Sequence, residues 1–143
     1  MNHPVPKWLR VLAWCGVGIW ATTICVLSSM TPPQLETLVP FQLWDKAEHF
    51  IAFAAGATNL TLALRWNKGW PWPRIIIFTA VALSIFGALD EVHQLFTPNR
   101  SGADPYDWSA DTLGALAGTL LTSLIYARLT RARRPAPEGV GGA

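Results

Sequence analysis

Residues 90–94 read Asp-Glu-Val-His-Gln and stand at the end of a long apolar run. Two adjacent acids beside a histidine suit general acid–base chemistry when their surroundings push the pKa values apart. The two carboxylates can also accept hydrogen bonds from hydroxyl or ammonium groups. Two further segments offer matching residues. Asp45 and His49 are four apart and share a helix face. Asp107, Asp111, Gly114 and Gly118 follow a 4-3-4 spacing down one helical stripe. Lys46 and Arg100 are the basic residues near these acids, and a guanidinium fork pairs with phosphate or carboxylate through two parallel bonds. The candidate catalytic set is therefore His49, Asp90 and Glu91. The candidate ligand-binding set is Asp45, Lys46, His49, His93, Gln94, Arg100, Asp107 and Asp111.

Each residue also has a plainer role. Asp45 and Asp107 suit helix N-termini, where carboxylates accept free backbone N–H groups. Lys46 and Glu48 fit interfacial charges, and His49 a buried, hydrogen-bonded histidine. Gly114 and Gly118 form a small-xxx-small pair that lets a second helix approach closely, so the stripe with the two aspartates should face inward. Asp90 and Glu91 resist such a reading, because negative charge at a helix C-terminus opposes the helix dipole. His49, His93 and the acids are possible metal ligands, but their spacing matches no diagnostic metal motif and no metal is assigned. No nucleophile elbow or phosphate loop is present, and the sequence names no cofactor.

The elements that must position these residues are apolar. Hydrophobic residues make up 51% of the chain and charged residues 14%, against about 25% charged in soluble domains. The net charge of +2 is too small to suggest nucleic acid. Four runs are long enough to cross a bilayer: 8–30, 44–66, 75–96 and 107–129. The first is longer than a signal core and ends in no clean cleavage site, so it is read as a span. The Pro32-Pro33 pair stops it, and 31–44 form a connection. Cys15 and Cys25 lie too far apart on one helix to bridge. Residues 135–143 read as a disordered tail.

Lys7, Arg10, Arg65, Lys68, Arg74 and the arginines from 128 to 134 all fall on one side of a four-span arrangement. By the positive-inside rule both termini face the cytoplasm. Trp8, Trp66, Trp70 and Trp72 then mark the inner interface, and Trp44 and Trp108 the outer one. The polar residues converge at the outer face. The expected fold is an all-α polytopic membrane bundle of about four transmembrane helices.

At 45–50, Asp-Lys-Ala-Glu-His-Phe resembles the Asp-Lys-x-x-His-Phe signature of VanZ-like membrane proteins. Residues 90–102, Asp-Glu-Val-His-Gln-Leu-Phe-Thr-Pro-Asn-Arg-Ser-Gly, resemble that family's second signature, which Asp107, Asp111, Gly114 and Gly118 extend. The resemblance covers about residues 45–121. Asn99 stands where Gly is usual before the arginine, and Asp111 where many members have Asn. The family takes its name from the accessory teicoplanin-resistance protein of glycopeptide-resistance clusters. The resemblance implies one transmembrane domain over 1–134, a multi-pass protein of the bacterial cytoplasmic membrane linked to the cell envelope. It supplies no reaction and does not make this chain a resistance protein.

Three functions fit the residues. The first is a site for an envelope lipid or glycolipid headgroup, with Arg100, Lys46 and His49 holding an anionic group and Asp90 and Glu91 accepting hydrogen bonds from hydroxyl or ammonium groups. The second is an enzyme acting on such a lipid by acid–base or metal-assisted chemistry. The third is a structural polar core that docks a partner membrane protein. Membrane lipid is the expected partner in the first two.

Overall fold

The computed structural model describes residues 5–38 and 44–132, which form five helices. These are α1 (Lys7–Ser28), α2 (Pro32–Leu38), α3 (Asp45–Lys68), α4 (Trp72–Gln94) and α5 (Pro105–Ala132). The tail at 135–143 lies outside the described residues. The four long helices coincide with the four apolar runs to within a few residues. The connection at 31–44 holds a helix that the sequence reading did not expect. The Thr31 N–H and hydroxyl both donate to Gln34 Oε1 at 2.9 Å, the glutamine half of a capping box, and Pro32 and Pro33 fall in the first turn, where a missing N–H costs nothing. The proline pair thus starts α2 as well as following the end of α1.

Three helices, α1, α4 and α5, are long and apolar enough to cross a membrane by length and composition. The expectation was about four. At 24 residues α3 has the length, about 36 Å, but its composition is too polar to count. Its position explains how that polarity is tolerated. α3 runs antiparallel to α1, with Trp20 Nε1 donating to the Ala52 carbonyl and Asn67 Nδ2 to the Arg10 carbonyl. It also packs on α4 and α5. A helix walled by neighbours can satisfy Thr58, Thr61 and Asn67 within protein, whereas a lipid-facing helix cannot.

α3 and α5 run parallel and touch through their backbones. A Cβ at Gly114 would collide with the Phe50 carbonyl, and one at Gly118 with the Ala54 carbonyl. Hydroxyl pairs line the same seam: Thr122 Oγ1 to Thr58 Oγ1 at 3.1 Å and Thr61 Oγ1 to Thr119 Oγ1 at 3.3 Å. Between α4 and α5, Ser84 and Thr112 bond at 2.9 Å. Such small-residue seams and interhelical hydrogen bonds hold helices together where lipid removes the hydrophobic drive. On the other side of α3, Trp20 stacks edge-on to Phe53 and tilted to Phe86. Leucines and isoleucines facing outward, among them Ile77, Ile85, Leu121 and Leu124, leave an apolar flank suited to lipid.

The described charges separate along the bundle. Lys7, Arg10, Arg65, Lys68, Arg74, Arg128 and Arg131 sit at the end formed by the α1 and α4 N-termini and the α3 and α5 C-termini. There Arg65 lies over the Trp72 and Tyr126 rings and Arg74 over Trp70, cation–π contacts that hold the turn around Gly69. Eight of the nine acidic residues belong to the opposite end (Glu36, Asp45, Glu48, Asp90, Glu91, Asp104, Asp107 and Asp111); the ninth, Glu138, lies outside the described residues.

Gly118→Leu should force α3 and α5 apart and cost about 2 kcal/mol or more, the scale of an overpacked core. Leu121 is 60% exposed, so Leu121→Ala should leave the melting temperature in detergent nearly unchanged. Equal behaviour of the two would place Gly118 outside the seam.

Candidate functional site

At the acidic end the α3 and α5 N-termini meet the α1 and α4 C-termini. The backbone contact at Phe50 and Gly114 brings the preceding turn of each helix together. His49 Nδ1 and Asp111 Oδ1 lie 2.9 Å apart. Asp111 is wholly buried and Asp107 is 5% exposed, so the stripe faces inward as its spacing predicts.

Lys46 serves the carboxylates. Its ammonium touches Asp45 at 2.9 Å, Asp104 at 3.2 Å and the buried Asp107. One cation held by three acids is compensated many times over. Asp45 makes no helix cap: the residue before α3 is Trp44, and no side chain caps that end. The cap of α5 is Asp104, not Asp107. Asp104 Oδ1 accepts the Tyr106 N–H at 2.8 Å, and Pro105 follows as first helical residue. That N–H, with the Lys46 ammonium, holds the Asp104 carboxyl below the usual carboxylate range. The cap is therefore intact at neutral pH and weakens as acid protonates Asp104.

Asp90 and Glu91 close the end of α4 and are both buried. Asp90 Oδ2 accepts from Ser28 Oγ at 2.7 Å and from Gln94 Nε2 at 3.0 Å. Glu91 Oε2 accepts the Asp104 N–H at 2.8 Å. The sequence suggests that Arg100 neutralises this pair directly. In the structure Arg100 Nε donates to Gln94 Oε1 at 3.1 Å and its Nη1 to the Leu27 carbonyl at 3.2 Å. Gln94 relays between guanidinium and carboxylate, and no ion pair joins Arg100 to either acid among the described residues. His93 stands apart from the cluster, its Nε2 3.3 Å from Ser29 Oγ at the exposed end of α1.

The loop from α4 to α5 is folded tightly over these groups. Asn99 has φ 62°, the left-handed region that Asn tolerates better than other side chains. This accounts for Asn at the position where the signature that this segment resembles has Gly. Gly102 lies on the last turn of α4, where a Cβ would fall against the Leu95 nitrogen and the Glu91 carbonyl. The next N–H, from Ala103, donates to that Glu91 carbonyl at 3.1 Å.

A cavity of about 370 Å³ opens beside the cluster. Ile24, Leu27, Leu35, Ala52 and Phe53 make its apolar wall. Glu36, Asp45, Glu48, Asp90 and Asp107 supply its acids, with His49 and Arg100 as the basic groups and Gln94 between. Lys46, Glu91, His93 and Asp111 do not line it. Sequence reasoning missed Ser28, Glu36 and Asp104. Only Asp104 carried a signal, the Asp-Pro step that starts a helix. Ser28 and Glu36 come from α1 and α2, whose place over the site no motif records.

Three apolar helices and a charged, walled cluster at one end define a small multi-pass helical membrane protein. The chain belongs to the VanZ/LLP1 family, whose model matches residues 10–126 and so includes α1 as well as the signature region. No match was found among curated proteins or solved structures.

Lys46→Met should leave Asp107 buried without a counter-charge and lower stability by about 2 kcal/mol, less than for a fully buried pair because Lys46 is part exposed. Adding Asp107→Asn should restore most of the loss. Melting curves of the two single variants and the double variant check this; simple additivity would dissolve the ion pair.

Proposed function

We propose that this VanZ-family protein holds the headgroup of an envelope lipid in the cavity at its acidic end, on the outer face of a bacterial cytoplasmic membrane. The observation that carries the reading is the cavity's mixed lining, five aliphatic or aromatic residues together with five carboxylates at the end of an apolar bundle. An amphipathic molecule at a membrane surface combines the same two kinds of group. The charges refine the chemistry. Lys46 is taken up by three acids and is not on the wall, so the anion clamp reduces to Arg100 with His49. The acids favour a headgroup rich in hydroxyl or ammonium donors with no more than one anionic group, such as a zwitterionic phospholipid or a glycolipid.

Orientation rests on the separation of charge. The arginine- and lysine-rich end faces the cytoplasm by the positive-inside rule, with α3 as a fourth crossing. Reporter fusions at Ala143 should behave as cytoplasmic and fusions near Gly102 as external. An external C-terminus would move the cavity to the inner face.

The headgroup test uses delipidated protein exposed to vesicles of equimolar phosphatidylethanolamine, phosphatidylglycerol and a diglucosyl lipid, read by native mass spectrometry. Wild type should keep the ethanolamine lipid or the glycolipid about tenfold better than phosphatidylglycerol. Ala52→Trp, which fills the cavity, should lose that preference, and Arg100→Ala should weaken the phospholipid more than the glycolipid. Equal occupancy of all three lipids in all three proteins would leave a structural polar core as the better account.

A second reading, an enzyme acting on the bound lipid, is favoured by one feature. His49 lines the cavity while Asp111, behind it, bonds its ring nitrogen. A carboxylate that orients an imidazole toward a bound molecule is the arrangement of a general base.

A further inference from the structure

We propose that His49, Glu91 and Asp111 bind a first-row divalent metal ion behind the cavity wall. The three come from α3, α4 and α5, and one donor atom of each lies within 4.8 Å of the others. Asp111 is 0% exposed, and its Oδ2 has no hydrogen-bond partner. Glu91 is 3% exposed; its Oε2 is taken by the Asp104 N–H, while Oε1 has only Gln94 Nε2, at 3.5 Å. A buried carboxylate oxygen without a donor is costly, and two buried carboxylates side by side repel.

The nearby cations are engaged elsewhere. Lys46 is on Asp45, Asp104 and Asp107, and Arg100 is on Gln94 and the Leu27 carbonyl. This leaves His49 as the single basic side chain paired with either acid among the described residues. One imidazole, even protonated, cannot neutralise two carboxylates. A divalent ion can, with Glu91 Oε1 and one or both Asp111 oxygens as ligands. Two donors bound to one ion at about 2.1 Å sit about 3.0 Å apart at octahedral angles and about 3.4 Å apart at tetrahedral ones, so the 2.9 Å between His49 Nδ1 and Asp111 Oδ1 suits an octahedral ion and would open by about half an ångström for a tetrahedral one. One imidazole with two carboxylates is a donor set for Zn²⁺, Mn²⁺ or Fe²⁺ rather than for thiophilic ions. The neighbouring group of Asp45, His49 and Asp107 is a poorer site, since the Lys46 ammonium already sits on both of its acids. The metal site does not depend on what fills the cavity.

The test uses chelator-stripped wild type in detergent without added lipid, so that failure of the headgroup reading leaves it untouched. Reloaded with Zn²⁺ or with Mn²⁺ and desalted, wild type should retain about one ion per chain and melt at a higher temperature. Glu91→Gln and Asp111→Asn keep shape and remove charge; each should lower affinity about tenfold or more. His93→Gln, outside the cluster, should bind as wild type. Absence of retained ion in wild type, or equal retention in Asp111→Asn, overturns the proposal and leaves a proton as what His49 and Asp111 share. Should neither acid variant fold, ¹⁵N-histidine spectra of wild type decide. Zn²⁺ should shift a ring nitrogen of His49 and leave His93 in place; the reverse, or no shift, overturns the site.

Discussion

Phe50 and Ala54 lie with their backbones against Gly114 and Gly118, and the acidic end of the molecule depends on that contact. No side chain larger than hydrogen fits between α3 and α5 there. The close approach sets the register of two parallel helices, and register places His49 over Asp111 and Lys46 over Asp107 one turn further out. Were the helices separated by ordinary side chains, their axes would move apart by an ångström or two, enough to break both ion pairs. The hydroxyl pairs at Thr58–Thr122 and Thr61–Thr119 extend the same register down the seam.

Such a seam matters because the site works against its surroundings. Four acids (Asp90, Glu91, Asp107 and Asp111) are buried at the end of an apolar bundle, where unpaired charge is expensive. Each is met in a different way: Asp107 by an ammonium, Asp90 by a hydroxyl and an amide, Glu91 by a backbone N–H, and Asp111 by an imidazole. The donors come from α1, α3, the α4–α5 loop and α4 itself. The polar cluster is thereby a cross-link between elements that lipid alone would not hold together. It also explains the packing of the loop. Asn99 in the left-handed region and Gly102 pressed onto α4 turn the chain sharply enough for the Asp104 N–H to reach Glu91.

The polarity of α3 follows from the same arrangement. Packed against α1, α4 and α5, it exchanges lipid contacts for protein ones over much of its surface and can carry Lys46 and His49 at one end and Asn67 at the other, while Asp45 and Glu48 stand exposed at its N-terminal turn. Its charged N-terminal turn is what the cavity and the cluster share. His49 faces both, bonded to Asp111 behind and lining the cavity in front.

Sequence by itself determined the helical class, the extents of the long helices and the burial of the Asp107–Gly118 stripe. These depend on local composition and on the 3.6-residue period, which each segment carries alone. The convergence of residues 45–49, 90–94 and 107–111 was also legible, because long helices that alternate in direction put those ends together. Partners were not. That Lys46 answers three aspartates, that Gln94 stands between Arg100 and the acids, that His93 falls outside and that Ser28 and Glu36 belong to the site all depend on helix register and rotation. Rotation about a helix axis is set by side chains meeting across an interface, and a single strand of sequence holds only one half of each such meeting. The glycines on α5 announced that some helix comes close; only the folded structure decided that it is α3, in the register that sets an imidazole against a buried carboxylate.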